Sequence, residues 1–318
     1  MLPLLLSRVA NACFWLSRYR ERAEFTARVV DVNLYTLLDA SHLYADIAAD
    51  WLPIVQINGC QHLFSGATAR TFNLSTVLDT LCLDTANPNS IVSCIRLARE
   101  NARQAREQIS SESWEQINTM YHALNRLSKA DLLDRPHDLL QEVKNGALLM
   151  QAMADQTMMH GEGWHFIQLG RYLERANTTC RLLTARSDPT LAQGAVYRDA
   201  LHWIAVLKSA SSLEAYHKTY AAPVAATAAI EFLLLDEDSP RSVLFCLERI
   251  VQSLTFISGH TGRRYGNEAE RLAGQLTARL HYLRLEEIDL MAQLLDIQKT
   301  LRGISDSINQ TYFAYEVA

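Results

Sequence analysis

Two short stretches of this 318-residue chain concentrate side chains that can hold or move charge: Arg18-Tyr19-Arg20-Glu21-Arg22 and Arg171-Tyr172-Leu173-Glu174-Arg175. Arginine presents a planar fork of donors that matches a carboxylate two-pronged, and a tyrosine hydroxyl adds a hydrogen-bond partner. At about 100° per residue, Arg18, Glu21 and Arg22 share one helix face with Phe14, Trp15, Phe25 and Val29, while Leu16, Tyr19, Ala23, Ala27 and Val30 occupy the other. In the second stretch Ile167, Leu169, Tyr172, Cys180, Leu182 and Leu183 surround Arg171, Glu174 and Arg175 in the same way. A helix apolar nearly all round is a buried helix, and charges on it are costly unless paired, so Arg–Glu pairs are expected within or between the two stretches. Two readings stay open. One is an ionic network that fixes the register of two central helices. The other is a pocket in which Arg18, Arg22, Arg171 and Arg175 hold an anionic ligand or peptide carboxylate, with Tyr19 and Tyr172 as partners and Glu21 or Glu174 as a base. Neither supplies a nucleophile, and no catalytic residue is assigned. Where the first stretch has Arg20 and Glu24 the second has Leu173 and Asn177, so loss of the Glu21 charge is expected to be the milder of the two.

Other constellations carry less. Glu162/His165 and Glu214/His217 have the Glu-x-x-His spacing of di-metal helical bundles. Glu162, however, lies in Gly161-Glu162-Gly163, a helix start, and the repeat counterpart of Glu214/His217 is His62-Leu63-Phe64-Ser65. No metal and no cofactor are expected. Trp51, Trp203, Cys94, Cys246, Phe64 and Tyr216 read as core, and Asp84 and Asp236 as turn or cap residues. Arg96, Arg99, Arg103 and Arg106, interleaved with Glu100 and Glu107, read as a solvated face or a docking surface for an acidic partner. No P-loop, GxSxG, HExxH or GxGxxG occurs.

The elements that must position these groups are helices. Helical periodicity dominates, with long helices expected near 7–46, 88–109, 137–160, 164–186, 198–220, 240–260 and 284–314. Pro53, Pro88, Pro136, Pro223 and Pro240 are placed near helix starts, with Asn87 and Ser239 as caps. Loops are expected at Ser187–Gly194, Asn58–Gly66 and Gly259–Gly266. An internal repeat organises the chain. Residues 14–28 (FWLSRYRERAEFTAR) and 167–181 (IQLGRYLERANTTCR) are identical at eight of fifteen positions, at an offset of 153. At offset 152, Trp51 meets Trp203, Phe64 meets Tyr216, LCLD (81–84) meets LLLD (233–236), and Pro88, Ser90 and Cys94 meet Pro240, Ser242 and Cys246. The expectation is an all-α, tandem-duplicated bundle with pseudo-twofold symmetry and the Glu-Arg helices at its centre, residues 1–158 and 159–318 packed as one unit.

Composition sets the remaining bounds. The net charge of -5 argues against a nucleic-acid partner. The six cysteines form no CxxC pair and fall among apolar residues, as in a reducing compartment. The Met1–Leu6 start lacks the basic region of a signal peptide, and the uncharged stretch from Trp51 to Ala69 contains Pro, Gly, Asn, Gln and His. A cytoplasmic protein without membrane partners is expected.

The segments SRVANACFWLSRYRERAEFTARVVDVN, GWHFIQLGRYLERA, NPNSIVSCIRLAREN and SPRSVLFCLERI resemble the bacterial alpha-E family, helical proteins named for their ER motif, over essentially the whole chain. The resemblance assigns Glu21, Arg22, Glu174 and Arg175 as the ER positions; the stretch Ala10–Cys13 departs from the family's more polar pattern. It further implies a neighbourhood of circularly permuted ATP-grasp ligases and transglutaminase-like proteins, and hence an accessory or binding subunit in peptide synthesis or modification, with a peptide as ligand. A carboxylate-binding enzyme or small-molecule binder, and a purely structural scaffold, are the alternatives.

Overall fold

The computed structural model describes residues 5–40, 47–65, 70–187, 196–259 and 264–314, with side chains omitted at 37–40, 47–50 and 196–199. Among the described residues the fold is all-α, without strands. Fourteen α-helices follow in order: α1 Ser7–Ala40, α2 Ile47–Ile57, α3 Leu74–Cys82, α4 Ile91–Gln104, α5 Ser111–Leu124, α6 Lys129–Asp134, α7 Pro136–Thr157, α8 Glu162–Ser187, α9 Val196–Ser209, α10 Leu213–Thr219, α11 Ala226–Leu235, α12 Val243–Ser258, α13 Glu268–His281 and α14 Leu290–Ile308.

The two longest, α1 and α8, carry the Glu-Arg stretches and pack against each other at the centre. Both are apolar around most of their circumference, so each needs neighbours on several sides. α1 is flanked by α4 and α7, and α8 by α12 and α14; α4 packs on α5 and α5 on α7, as α12 packs on α13 and α13 on α14. The second helices cross over, α2 touching α8 and α9 touching α1. The partners of α1 thus recur in the same order around α8. Gly170 sets the closest approach: a Cβ there would lie 2.2 Å from the Phe14 carbonyl oxygen and 3.2 Å from the Ser17 Cβ. Only a residue without a side chain lets the backbones of α1 and α8 come this near.

The turns ahead of α4 and α12 are built alike. Ser90 and Ser242 are the N-caps, accepting from Ser93 N and Phe245 N, and the thiols of Cys94 and Cys246 face the carbonyls of Pro88 and Pro240. Asn87 and Ser239 are therefore not the caps, because each proline with the residue after it forms a turn before the helix begins. Asn87 instead donates to the Thr80 carbonyl and accepts from Asn89 N. Asp84 and Asp236 are turn residues, their carboxylates accepting from Ala86 N and from Asp238 and Ser239 N. Pro136 opens α7, whereas Pro53 lies inside α2.

The helix expected over 198–220 is two helices, because Ser211 adopts a left-handed φ of 56°. The stretch expected as one helix over 284–314 divides into a short 3₁₀ turn, α14 and a wide π turn at Asn309–Phe313. Residues 66–69, 188–195 and 260–263, which overlap the three expected loops, and 41–46, at the end of the first expected helix, lie outside the described residues. All six cysteines are free and buried; Trp51, Trp203 and Tyr216 are buried in the core, and Phe64 is only partly covered. No helix among the described residues is long and apolar enough to cross a membrane.

Candidate functional site

The two Glu-Arg stretches meet face to face, and each glutamate is bound by at least one arginine of the other helix. Glu174 accepts from Arg22, Nε to Oε1 at 2.7 Å and the terminal nitrogen to Oε2 at 3.1 Å, and from Arg18 Nε at 2.9 Å. Glu21 accepts from Arg175 Nε at 2.6 Å. Arg175 and Arg22 are equivalent by the repeat, so the pair is reciprocal across the α1–α8 contact. These are charge-assisted bonds, the strong class.

The surroundings differ. Glu21 also accepts from Arg241 at 3.2 Å and Arg20 at 3.5 Å. Arg20 reaches the Ala147 carbonyl, and Arg241 also faces Glu24, which is bonded to Arg28. Around Glu174 the other donors are fewer: Arg18 turns to Ser305 Oγ at 2.8 Å, and Arg22 to Asn89 Oδ1 at 3.0 Å. Asn89 and Arg241 occupy the same place in their turns. Burial alone would raise both carboxyls. The guanidiniums of Arg22 and Arg18 outweigh it and hold Glu174 at about 2, and those of Arg175, Arg241 and Arg20 hold Glu21 well below the usual carboxylate range. Both are fully occupied anions, poorly suited to serve as a base. Burial, partly offset by Glu21, also lowers Arg20 to about 10.

The remaining expected residues are close by but not on the glutamates. Arg171 donates to Asp155 at 3.2 Å and to the Tyr172 hydroxyl at 2.8 Å, and lies over the Tyr172 ring. Tyr19 lies under the Arg22 guanidinium, 5.7 Å from Cζ to ring centroid. Glu162, at the start of α8, accepts from Leu5 N, while Glu214 and His217 are exposed on α10. No metal-ligand cluster occurs among the described residues. Arg99 lies over the rings of Trp114 and Tyr121 on α5, so part of the Arg96–Arg106 face is packed.

Several participants were not singled out from sequence. Arg241, Asn89, Asp155 and Ser305 come from distant helices and turns; the alignment of Asn89 with Arg241 at offset 152 is the one signal that marks two of them. A second buried group, Asp31 held by Lys144 and by His137 Nδ1 at 2.6 Å with Tyr35 stacked on His137, joins α1 to α7 and has no sequence signature.

Beside the Glu174 node an open cavity of about 230 Å³ lies between α1, α8 and α14, bordered by Trp15, Arg18, Asn177, Arg302, Ser305 and Asp306. The corresponding space beside the Glu21 node, where Arg20, Arg171 and Asp155 lie, is about 20 Å³.

A buried, reciprocal Glu-Arg pairing between two central helices defines a class of helical protein in which the motif joins helix to helix. Residues 5–313 match the Alpha-E family, described as a predicted alpha-helical domain with a conserved ER motif, and the chain belongs to that family. It is 25% identical to an uncharacterized protein of Mycobacterium bovis over 96% of its own length and 37% of the relative's. Uncharacterized proteins of two Mycobacterium tuberculosis strains match with the same identity and coverage. The chain therefore spans little more than a third of the length of these relatives. No solved structure matches it.

Proposed function

We propose that this chain is an accessory, binding subunit of an ATP-grasp-linked peptide synthesis or modification system, with the ER residues acting as its internal clamp. The observation that carries the reading is that both ER glutamates are buried and each is bonded by at least two arginines, so the motif is spent on joining α1 to α8. A protein of this design offers a stable outer surface and works through what docks on it. The mycobacterial relatives support this, since in them the matching region is one part of a polypeptide more than twice as long. The ATP-grasp ligase and transglutaminase-like protein as partners come from the family's neighbourhood. A second reading, a binder of small carboxylates, is favoured by the cavity at Arg18.

The test is co-expression with the ATP-grasp ligase encoded nearest its gene, followed by size-exclusion chromatography. Co-elution at fixed stoichiometry is the expected result. Separate elution of two folded proteins at micromolar concentration, with no change in ligase rate on mixing, would remove the accessory reading.

A further inference from the structure

The cavity beside Glu174 follows from how three equivalent positions are filled at the two Glu-Arg nodes. In the closed node Arg20 projects beside Glu21 and fills space, reaching the Ala147 carbonyl, and Arg171 engages Asp155. In the open node Leu173 stands where Arg20 does, and its shorter side chain leaves space. Asp306 stands on α14 where Asp155 stands on α7, but Arg18, the counterpart of Arg171, is held by Glu174 and Ser305 instead. Asp306 and Arg302, one helical turn apart on the cavity wall, have no ion-pair partner among the described residues.

The number of charged groups also differs. Arg18, Arg22 and Arg181 lie around the single carboxylate of Glu174, and Asn177 replaces the acid found at Glu24. That leaves surplus positive charge behind the Arg18 wall, with the exposed carboxylate of Asp306 on the α14 wall. Trp15, Leu173 and Leu301 make the rest of the wall apolar, and Asn309, at the start of the π turn, borders it. Such wide turns cluster at functional sites. At about 230 Å³ the space falls below the ~300–1,000 Å³ of pockets for drug-sized ligands, which limits the occupant to a small molecule.

We infer that this cavity binds a free α-amino acid with an apolar side chain, its carboxylate toward Arg18 and Arg302, its ammonium toward Asp306, and its side chain against Trp15 and Leu173. The inference deepens the small-molecule reading and is independent of the ligase partnership, because the purified chain alone suffices to test it.

The experiment is calorimetric titration of the full chain with L-leucine and L-phenylalanine, up to about 10 mM. Saturable binding of at least one is expected, weakened about tenfold or more when its N-acetyl derivative replaces it, which removes the ammonium, or its amide, which removes the carboxylate. Arg302→Gln and Asp306→Asn alter exposed side chains and leave the fold intact; each should weaken binding about tenfold. Leu173→Arg, which imitates the closed node, should abolish binding; its folding is checked by circular dichroism. The proposal is overturned if neither amino acid gives saturable heat, if the N-acetyl derivative binds as well as the parent, or if Arg302→Gln and Asp306→Asn bind like the unaltered protein.

Discussion

Glu21 and Glu174 sit in the same motif, on equivalent helices, and make the same bond to an arginine of the facing helix, yet their settings diverge. Around Glu21 two of the three arginines are deeply covered, the side chains of Arg20 and Arg175 being 5 and 6% exposed, and Arg241 is 13% exposed. Around Glu174, Arg18 and Arg22 are 12 and 19% exposed, and Arg18 borders an open cavity. The difference comes from residues flanking the motif: Arg20 against Leu173, Glu24 against Asn177, Arg241 against Asn89. A repeated ionic clamp can be sealed on one side and opened on the other by its neighbours while the clamp itself is kept.

The largest expected effect is Glu21→Gln. Removing one member of a buried pair typically costs ~3–5 kcal/mol because the survivor keeps its desolvation penalty. Three arginines would then face an amide in a dry setting, so the loss should fall near the upper end of that range. Glu174→Gln should fall near the lower end, since Arg18 and Arg22 can turn toward water. Denaturant unfolding of the two variants checks the order; equal losses would mean that the two nodes do not differ in solvation.

A somewhat smaller effect is expected from acid. The Glu174 carboxyl is held at about 2 against an ordinary 4.5, a depressed pKa. Its stabilising contribution is therefore complete above about pH 4.5 and is lost as pH falls through about 2. A shift of this size corresponds to on the order of 3 kcal/mol. Unfolding free energy measured between pH 6 and 2 should fall less steeply in Glu174→Gln than in the unaltered chain; parallel curves would show that the carboxylate does not carry the acid sensitivity.

Much of the fold was legible in the sequence. The all-α class, the two central helices and the need for Arg–Glu pairs all follow from periodicity and from charges on apolar helices. Which arginine meets which glutamate was not legible, because pairing depends on how α1 crosses α8. Gly170 governs that crossing, and nothing marks it out in the sequence. The expectation that Glu21 would be the milder site rested on Arg20 and Glu24 being polar; both are buried, so their polarity brings no water, and the structure leads to the opposite prediction. Arg241, Asp155 and Ser305 lie far along the chain from the motif and reach it only through packing. The cavity depends on a side chain that is missing at Leu173, a difference that becomes informative only once α14 is seen beside it.

The central claim is that the ER residues form a reciprocal clamp between α1 and α8. A double-mutant cycle on Arg22→Gln and Glu174→Gln tests it most directly, read by denaturant unfolding. Each single change should be costly, and the double variant should lose less than the sum by about 1–3 kcal/mol, the range for residues in direct contact. Additivity within about 0.5 kcal/mol, the behaviour of independent sites, would contradict it.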